Sequence, residues 1–206
     1  METLDGIAFQ KPFPHLIIKN FYNEIELRLI WEELVYYTKP GKLLEAKDFG
    51  GVVGYTNSHA LALDSVYRKP YRNLSNILTV NRKLFNTEVR KTFSEIEECC
   101  SIALTSNWDF TKARYYHDKE YYDPHTDRDF QFLAFSYFYR EPKKFRGGEI
   151  YFPDYDYEYA CDNNSMIILP GWVKHGVKEV SIKQSDYYDG WGRYCISSFF
   201  GCKSTE

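Results

Sequence analysis

The stretch TKARYYHDKEYYDPHTD, residues 111–127, contains two predicted strands joined by a short polar turn. Tyrosine and threonine favour extended backbone, so we predict strands over residues 111–117 and 121–125. His125 and Asp127 lie two positions apart where the second strand ends. Because residues i and i+2 of a strand project from the same face, we expect this imidazole and this carboxylate to point in one direction.

Further short strands are predicted on the C-terminal side of this stretch. Turn signals such as Gly147-Gly148 and Pro170-Gly171 separate them. Apolar and aromatic runs place these strands over residues 130–139, 149–152, 165–169, 177–182 and 193–200. Many short strands at near-regular spacing are typical of a sandwich or a barrel, so a β-rich core is predicted from about residue 108 onward.

The N-terminal half instead shows apolar residues at helical spacing. A first helix is predicted from Asn23, which has Glu26 in position for a capping box, to about residue 39. Two more helical segments are predicted, one that includes Leu74, Ile77 and Leu78 and one over about residues 87–104 with Val89, Phe93, Ile96, Cys100 and Ala103 on one face.

The chain of 206 residues has a length that fits one domain with a substantial core. We therefore predict a mainly β single domain over 1–206, with a helical N-terminal part over about 1–107 and a sheet core over about 108–202. The polar, glycine-containing stretch 49–60 shows little periodicity, and loops of that length are often lids or binding loops.

Charge and cysteine usage exclude several partners and compartments. The formal net charge is -3, and no block of like charge predicts a nucleic-acid surface. The first twenty residues lack the pattern of a signal peptide, and no apolar run approaches the ~18 residues of a membrane helix. Five cysteines without a CxxC spacing indicate reduced thiols. We therefore predict a soluble, cytoplasmic protein without nucleic-acid or membrane partners, and make no prediction of its oligomeric state.

His175 follows the Pro170-Gly171 turn, from which a return strand would bring it beside His125 and Asp127. Two histidines and one carboxylate on one face of an octahedron leave three coordination positions open, as in non-haem Fe(II) oxygenases. A lone His-x-Asp pair occurs often by chance. Arg193 adds a second signal, because it opens the last predicted strand and a guanidinium there could hold a carboxylate in a bidentate pair.

Four motifs in this order resemble the prolyl 4-hydroxylase-like branch of the 2-oxoglutarate/Fe(II)-dependent dioxygenases. YHDKEYYDPHTD (116–127) resembles its iron-binding segment, and FRGGEIYFP (145–153) resembles its Gly-Gly-Glu segment. MIILPGWVKHGVKEV (166–180) resembles its distal-histidine segment, and GRYCISSFF (192–200) resembles its final strand. The segment PFPHLIIKNF (12–21) is similar to the opening strand of the small members carried by bacteriophages.

The resemblance implies a double-stranded β-helix, or jelly roll, flanked by α-helices. It implies that His125, Asp127 and His175 ligate Fe(II) and that Arg193 binds the distal carboxylate of 2-oxoglutarate. The co-substrates would be 2-oxoglutarate and O₂, and ascorbate is compatible with this chemistry. The reaction would couple the decarboxylation of 2-oxoglutarate to succinate and CO₂ with hydroxylation of a substrate C–H bond.

The resemblance also places a tyrosine hydroxyl on the distal carboxylate. Tyr116 and Tyr137 are the two candidates for this role. Their neighbours Tyr115 and Tyr139 stay open as alternatives, because a shift of one residue in a strand exchanges its two faces.

Two departures from the family pattern concern the same carboxylate. Cys195 stands where the family often has serine, and a thiol is a weaker donor, so tyrosine would carry more of the binding. Residues 184–192 form a loop before Arg193 that is longer than in many relatives.

The branch resemblance implies a prolyl residue of a protein or peptide as the substrate, which a tyrosine-rich mouth could bind. A free amino acid or another small molecule is the alternative, because the same core hosts such hydroxylases. Nucleic-acid demethylases carry a second arginine in the final strand where this chain has Phe199. Two further alternatives use the same three ligands without oxygenase chemistry: a non-catalytic cupin-like metal-binding module and a zinc site.

Overall fold

Seven antiparallel strands form the largest sheet of the computed structural model, which describes residues 5–49 and 55–203. In spatial order these strands are β1 Gly6–Phe9, β2 His15–Lys19, β10 Ser165–Pro170, β6 Phe132–Phe138, β13 Arg193–Gly201, β4 Trp108–Tyr116 and β3 His59–Ala62. A second sheet contains β5 Tyr122–His125, β11 His175–Val177, β8 Ile150–Phe152 and β9 Tyr157–Tyr159, and a third pairs β7 Phe145–Gly147 with β12 Val180–Ile182.

The central strand β6 is buried along its whole length because both of its faces are covered. Leu133, Phe135 and Tyr137 share one apolar cluster with Ile150 and Phe152 of the second sheet. The alternate residues of β6 belong to a different cluster, which includes side chains of the helices. The large sheet therefore lies between the small sheet and a helical layer.

Four α-helices belong to the helical layer: α1 Glu24–Tyr37, α2 Leu63–Val66, α3 Asn76–Val80 and α4 Thr87–Ser94. The predicted capping box of α1 is confirmed, because the Asn23 side chain accepts from the backbone of Glu26 while the Glu26 side chain accepts from the backbone of Asn23. Ile30 and Leu34 of this helix are fully buried against the sheet. None of the helices among the described residues has the length and apolarity that a membrane crossing requires.

The prediction of one helix over residues 87–104 is wrong. Helix α4 ends at Ser94, the backbone is extended at Glu97, and a 3₁₀ segment runs over Glu98–Thr105. The predicted apolar face is nevertheless buried throughout. The sequence ECCSIALT is rich in weak helix formers, and tight packing of its apolar side chains is compatible with 3₁₀ turns. Leu74 likewise lies in a 3₁₀ turn, Tyr71–Leu74, that precedes α3.

The strand predictions of the C-terminal half are confirmed, with ends displaced by at most three residues. The exception is the stretch 177–182, because β11 ends at Val177 and a separate strand, β12, begins at Val180. Strands β7 and β9 were not predicted, because three residues are too few to show a period.

The mainly β character of the chain is confirmed, but the N-terminal part is not only helical. Strands β1, β2 and β3 all join the large sheet. Strand β3 begins inside the stretch 49–60 that was predicted as a loop, and residues 50–54 of that stretch lie outside the described part of the chain.

Candidate active site

Two antiparallel strands of the small sheet bring His125 and His175 together. The two residues are directly opposite each other in the β5–β11 pair, and their ring centroids are 4.6 Å apart. The Asp127 Oδ2 atom lies 3.8 Å from the Nε2 atom of His125 and 3.6 Å from that of His175. The three predicted ligands therefore converge, with their donor atoms within 4.8 Å of one another.

The turn after β10 positions Asp127. The backbone N–H of Asp127 donates to the Gly171 carbonyl at 2.9 Å. A Cβ atom on Gly171 would lie 2.5 Å from the Asp127 carbonyl oxygen and 2.2 Å from that of Phe130. The Pro170-Gly171 turn that the sequence showed therefore needs glycine, because two carbonyl groups approach the backbone closely.

Backbone carbonyls set the tautomer of both histidines. The Nδ1 atom of His125 lies 2.9 Å from the Asp123 carbonyl oxygen, and that of His175 lies 2.9 Å from the Val173 carbonyl oxygen. Since a carbonyl can only accept, each Nδ1 carries the proton and each neutral ring keeps a lone pair on Nε2. Burial lowers the pKa of His175 to about 4, so this ring is neutral at pH 7 and available as a metal ligand.

Arg193 opens β13, as predicted, and lies opposite Tyr116 of β4. Its side chain is buried, and its guanidinium carbon lies 4.3 Å from the Tyr116 ring centroid and 5.3 Å from that of Tyr137. The Nε–H group donates to the Gly148 carbonyl at 2.6 Å. The buried Nη1 atom has no hydrogen-bond partner among the described residues, so the guanidinium has a free donor for an anion.

Gly148 leaves the space that Arg193 occupies. A Cβ atom at this position would lie 2.4 Å from the Cδ atom of Arg193, and the φ angle of Gly148 is +76°. The sequence predicts a turn at Gly147-Gly148, and the pair also belongs to one of the four motifs that resemble the oxygenase family. The structure adds the physical reason for the second glycine, which both accommodates the arginine and accepts its Nε–H group.

All six predicted site residues line one cavity between the two sheets, with an empty volume of about 360 Å³. The cavity walls also include Arg114, Tyr122, Phe135, Ile150, Val177, Cys195, Ser197 and Phe199. This volume includes space that is open to solvent. Its walls are mainly apolar and aromatic, and its charged groups are few.

Two of the four candidate tyrosines face the cavity. Tyr116 and Tyr137 line the cavity. Tyr115 projects to the opposite face of the large sheet, where its hydroxyl donates to the Trp191 carbonyl at 3.0 Å. Tyr139 packs on Phe145 in a separate cluster. Tyr115 and Tyr139 are therefore not placed to reach a ligand in the cavity.

Two residues of the site are not predicted from the sequence. Arg114 lies on the cavity face of β4, but without a strand register its direction was open. Cys161 is buried near Arg193, with its sulfur 3.9 Å from the Nη2 atom, and comes from a loop that no motif marked.

A second group of two histidines and one carboxylate is formed by His59, His117 and Glu120. Here one oxygen, Oε1 of Glu120, accepts from the Nδ1 atoms of His59 and His117 at 2.6 and 2.8 Å. The Nε2 atom of His117 is hydrogen-bonded to the Tyr188 hydroxyl at 2.9 Å. This group lies outside the walls of the 360 Å³ cavity. Its donors and acceptors are largely satisfied by one another.

The donor set in the cavity fits Fe(II) and a dicarboxylate. The two Nε2 lone pairs and one carboxylate oxygen are the ligand types of a facial triad, in a cavity that leaves further coordination positions accessible. The unpartnered Nη1 atom of Arg193 is the kind of donor that a buried carboxylate requires.

Comparison with known proteins finds similar folds and no match to the sequence. No protein-family model matches the sequence, and no curated protein sequence matches it. Among solved structures, a prolyl-4-hydroxylase from Pseudomonas putida superposes with a TM-score of 0.62 at 12% identity, over 92% of this chain and 93% of that chain. An oxidoreductase of the 2OG-Fe(II) oxygenase family from Burkholderia pseudomallei gives 0.57 at 14% identity, over 90% and 84%.

The α-ketoglutarate-dependent non-haem epimerase SnoN from nogalamycin biosynthesis gives a TM-score of 0.56 at 10% identity, over 91% of this chain and 77% of that chain. The chain therefore has the fold of the 2-oxoglutarate/Fe(II) oxygenases, and the resemblance to the prolyl 4-hydroxylase-like superfamily is confirmed at the level of the fold. The same fold carries hydroxylases and an epimerase, so the reaction has to be argued from the site.

Proposed function

We propose that this protein is a dioxygenase that uses Fe(II), 2-oxoglutarate and O₂ to hydroxylate a C–H bond of its substrate. One observation carries the proposal. The Nε2 atoms of His125 and His175 and an Asp127 oxygen face one another in the same cavity as a buried arginine whose Nη1 has no partner among the described residues. A structural zinc site would explain the three ligands but not the arginine.

The proposed role of each residue follows from its position in the cavity. His125, Asp127 and His175 would hold the ion on one side, and the cavity keeps the remaining positions open to ligands. When bound, Fe(II) and 2-oxoglutarate supply the oxidising chemistry that no side chain here can supply. Asp123 and Val173 orient the two imidazoles through their carbonyls and keep the protons on Nδ1.

Arg193 would bind the distal carboxylate of 2-oxoglutarate, with Tyr116 or Tyr137 as the hydroxyl donor beside it. Both rings flank the guanidinium and hold it in one orientation. Cys195 lines the same end of the cavity, and its thiol contributes less hydrogen bonding than a serine would. Phe135, Ile150 and Phe199 make the walls apolar and exclude water from the reacting groups.

Two substrate classes are compatible with this chemistry. The solved prolyl hydroxylase of the same fold supports a prolyl residue in a protein or peptide. A free amino acid or other small molecule fits the small cavity. The double-stranded β-helix, the single domain, the cytoplasmic location and a role for ascorbate also belong to this proposal.

The test is succinate formation from 2-oxoglutarate by the purified protein, with Fe(II) or with Zn(II). We expect turnover with Fe(II) only, and a +16 Da product that requires 2-oxoglutarate. Asp127→Ala should abolish turnover because it removes the anionic ligand, whereas Asp129→Ala, at an exposed carboxylate two residues further on, should retain it. Full turnover by Asp127→Ala would refute the ligand assignment, and equal turnover with zinc would refute the oxygenase.

A further inference from the structure

Arg114 is a second buried arginine in the cavity of the proposed iron ligands, and it is only 5% exposed. Arg114 and Tyr116 lie two positions apart on β4, so their side chains share a face. Tyr116 is opposite Arg193, and Arg114 is opposite Cys195. Two arginines on neighbouring strands therefore face the same small cavity.

Two aromatic rings hold the Arg114 guanidinium. Its central carbon lies 5.1 Å from the Phe49 ring centroid and 5.4 Å from that of Tyr122. The Tyr122 ring in turn stacks on His125, with centroids 4.1 Å apart. The guanidinium is thus held close to a proposed iron ligand, while the N–H groups at its edge stay available for hydrogen bonds.

Arg114 has no anionic partner in the described part of the chain. Its Nη1 atom donates to the Ser58 hydroxyl at 3.3 Å, and no carboxylate of residues 5–49 or 55–203 lies within 4.0 Å of its nitrogens. A guanidinium carries five N–H donors. A buried cation without a partner is costly, so this position is built for an anion that the protein itself does not provide.

The charges of the proposed cofactors do not compensate Arg114. The charges of Fe(II) and Arg193 balance those of Asp127 and the two carboxylates of 2-oxoglutarate. Among the residues that line the cavity, Arg114 is then the unbalanced charge, and the Lys112 ammonium, 5.3 Å from the Phe49 ring centroid, adds a second positive charge beside it. A substrate that carries one negative group would balance the charge of Arg114 without displacing 2-oxoglutarate from Arg193.

We propose that the substrate presents a carboxylate to Arg114, which makes a free amino acid or another small carboxylic acid the substrate class of this site. A planar guanidinium binds a carboxylate through two parallel hydrogen bonds. Arg114 lines the same cavity as the proposed iron ligands, so a carboxylate on Arg114 and the reacting C–H bond would lie close together, as they do in a free amino acid. This inference rests on the proposed function, since it needs the iron ligands beside Arg114.

The first experiment compares acids with their uncharged counterparts. The twenty standard amino acids, their carboxamides and a prolyl peptide blocked at both ends are incubated with Fe(II) and 2-oxoglutarate, and +16 Da products are measured. We expect at least one free acid to be hydroxylated, and its carboxamide at least ~10-fold more slowly. Hydroxylation of the blocked peptide or of a carboxamide as fast as the acid, or no reaction with any acid, would overturn the inference.

The second experiment removes the guanidinium. Arg114→Gln should raise the KM for the acid about 10- to 150-fold, as expected for a lost charge-assisted hydrogen bond, and leave the KM for 2-oxoglutarate within ~2-fold. Arg114→Lys keeps the positive charge but loses the bidentate geometry, so we expect a KM for the acid between those of the wild type and Arg114→Gln. With two variants, the conclusion does not depend on the correct folding of either one. Arg146→Gln, at an exposed arginine of β7, is the matched control.

Thermal unfolding of the Zn(II)-bound protein provides a readout without turnover. The acid should raise the Tm of the wild type and of Arg146→Gln but not that of Arg114→Gln, because a ligand stabilises only the state that binds it. An equal shift in Arg114→Gln would overturn the inference. Failure of the proposed function would give a different result, because the wild type would then form no succinate that depends on Fe(II). The thermal shift would still test whether Arg114 binds the acid.

Discussion

The described part of the chain contains two clusters of two histidines and one carboxylate, and the clusters differ in their hydrogen bonds. In the cavity cluster, the carbonyls of Asp123 and Val173 use both Nδ1 atoms, and the free Nε2 atoms lie 3.6–3.8 Å from Asp127. In the outer cluster, both Nδ1 atoms bind Glu120 directly at 2.6 and 2.8 Å.

Residue type alone therefore does not define a metal site. In the cavity cluster the donor atoms converge without hydrogen-bonding to one another, which leaves room for an ion between them. In the outer cluster the carboxylate already lies between the rings and accepts their protons. The outer cluster connects His59 of β3 to the turn after β4, so we infer that its role is structural.

The largest expected difference between the clusters concerns metal affinity. Asp127→Asn should weaken Fe(II) binding at least ~100-fold, because the cavity cluster loses its anionic ligand. Glu120→Gln should change it less than ~3-fold. Anaerobic titration calorimetry of both variants measures these affinities. A loss of Fe(II) binding in Glu120→Gln with retention in Asp127→Asn would assign the iron to the outer cluster instead.

The next effect concerns Arg193, which lines the same cavity as the three residues of the cavity cluster. Gly148→Ala would place a Cβ atom 2.4 Å from the Arg193 Cδ atom and displace the guanidinium. We expect the KM for 2-oxoglutarate to rise about 10- to 150-fold, as in Arg193→Gln, because a buried charge-assisted hydrogen bond is lost. Fe(II) affinity should stay within ~3-fold in both variants. Parallel losses of iron and 2-oxoglutarate binding would show that Arg193 supports the metal ligands rather than the co-substrate.

The smallest effect is the pH dependence of stability that the outer cluster produces. The Glu120 hydrogen bond raises the pKa of His59 above 6.5, so its stabilisation is complete below pH 6.5 and is lost as the pH rises through the folded-state pKa. Burial opposes ionisation of Glu120, but hydrogen bonds from His117 and His59 outweigh it and lower its pKa below 4.5. Its stabilisation is complete above pH 4.5 and is lost as the pH falls through the folded-state pKa.

Both contributions are therefore complete between pH 4.5 and 6.5. Glu120→Gln should lower the free energy of unfolding by about 1–3 kcal/mol in this window and by less outside it, which thermal unfolding between pH 4 and 8 measures. A constant difference across that range would mean that the cluster contributes no titrating interaction. Asp127→Asn is the matched variant of the cavity cluster in the same unfolding measurements, because His125 and His175 donate no hydrogen bond to Asp127.

Local patterns were sufficient for much of the molecule. The period of two in a strand put His125 and Asp127 on one face, and the capping box located the start of α1. The motif order predicted that His175 and Arg193 would join them, and the structure brings these residues into one cavity. Each of these features depends on residues that are close together in the sequence or that belong to one of the four motifs.

Other features depend on contacts between distant segments. Which face of β4 lines the cavity, and so separates Tyr116 from Tyr115, follows from the pairing of β4 with β13 and not from the sequence of β4 itself. Tyr139 is separated from Tyr137 because β6 ends at Phe138. The end of α4 at Ser94 was missed because burial continues beyond the helix. Strand β3 was missed because its four residues are extended only through pairing with β4.

The types of the proposed ligand residues and their spacing could be determined from the amino-acid sequence alone, because these are covalent properties of the chain. The hydrogen bonds that leave Nε2 free in His125 and His175 span two residues each. Which arginine lacks an anion, and which cluster is satisfied by its own hydrogen bonds, instead depend on contacts across tens of residues. Arg114 shows this most clearly, since its nearest aromatic partner Phe49 and its hydroxyl partner Ser58 lie more than fifty residues away. Only folding creates the buried, unpaired charge from which we infer the substrate class.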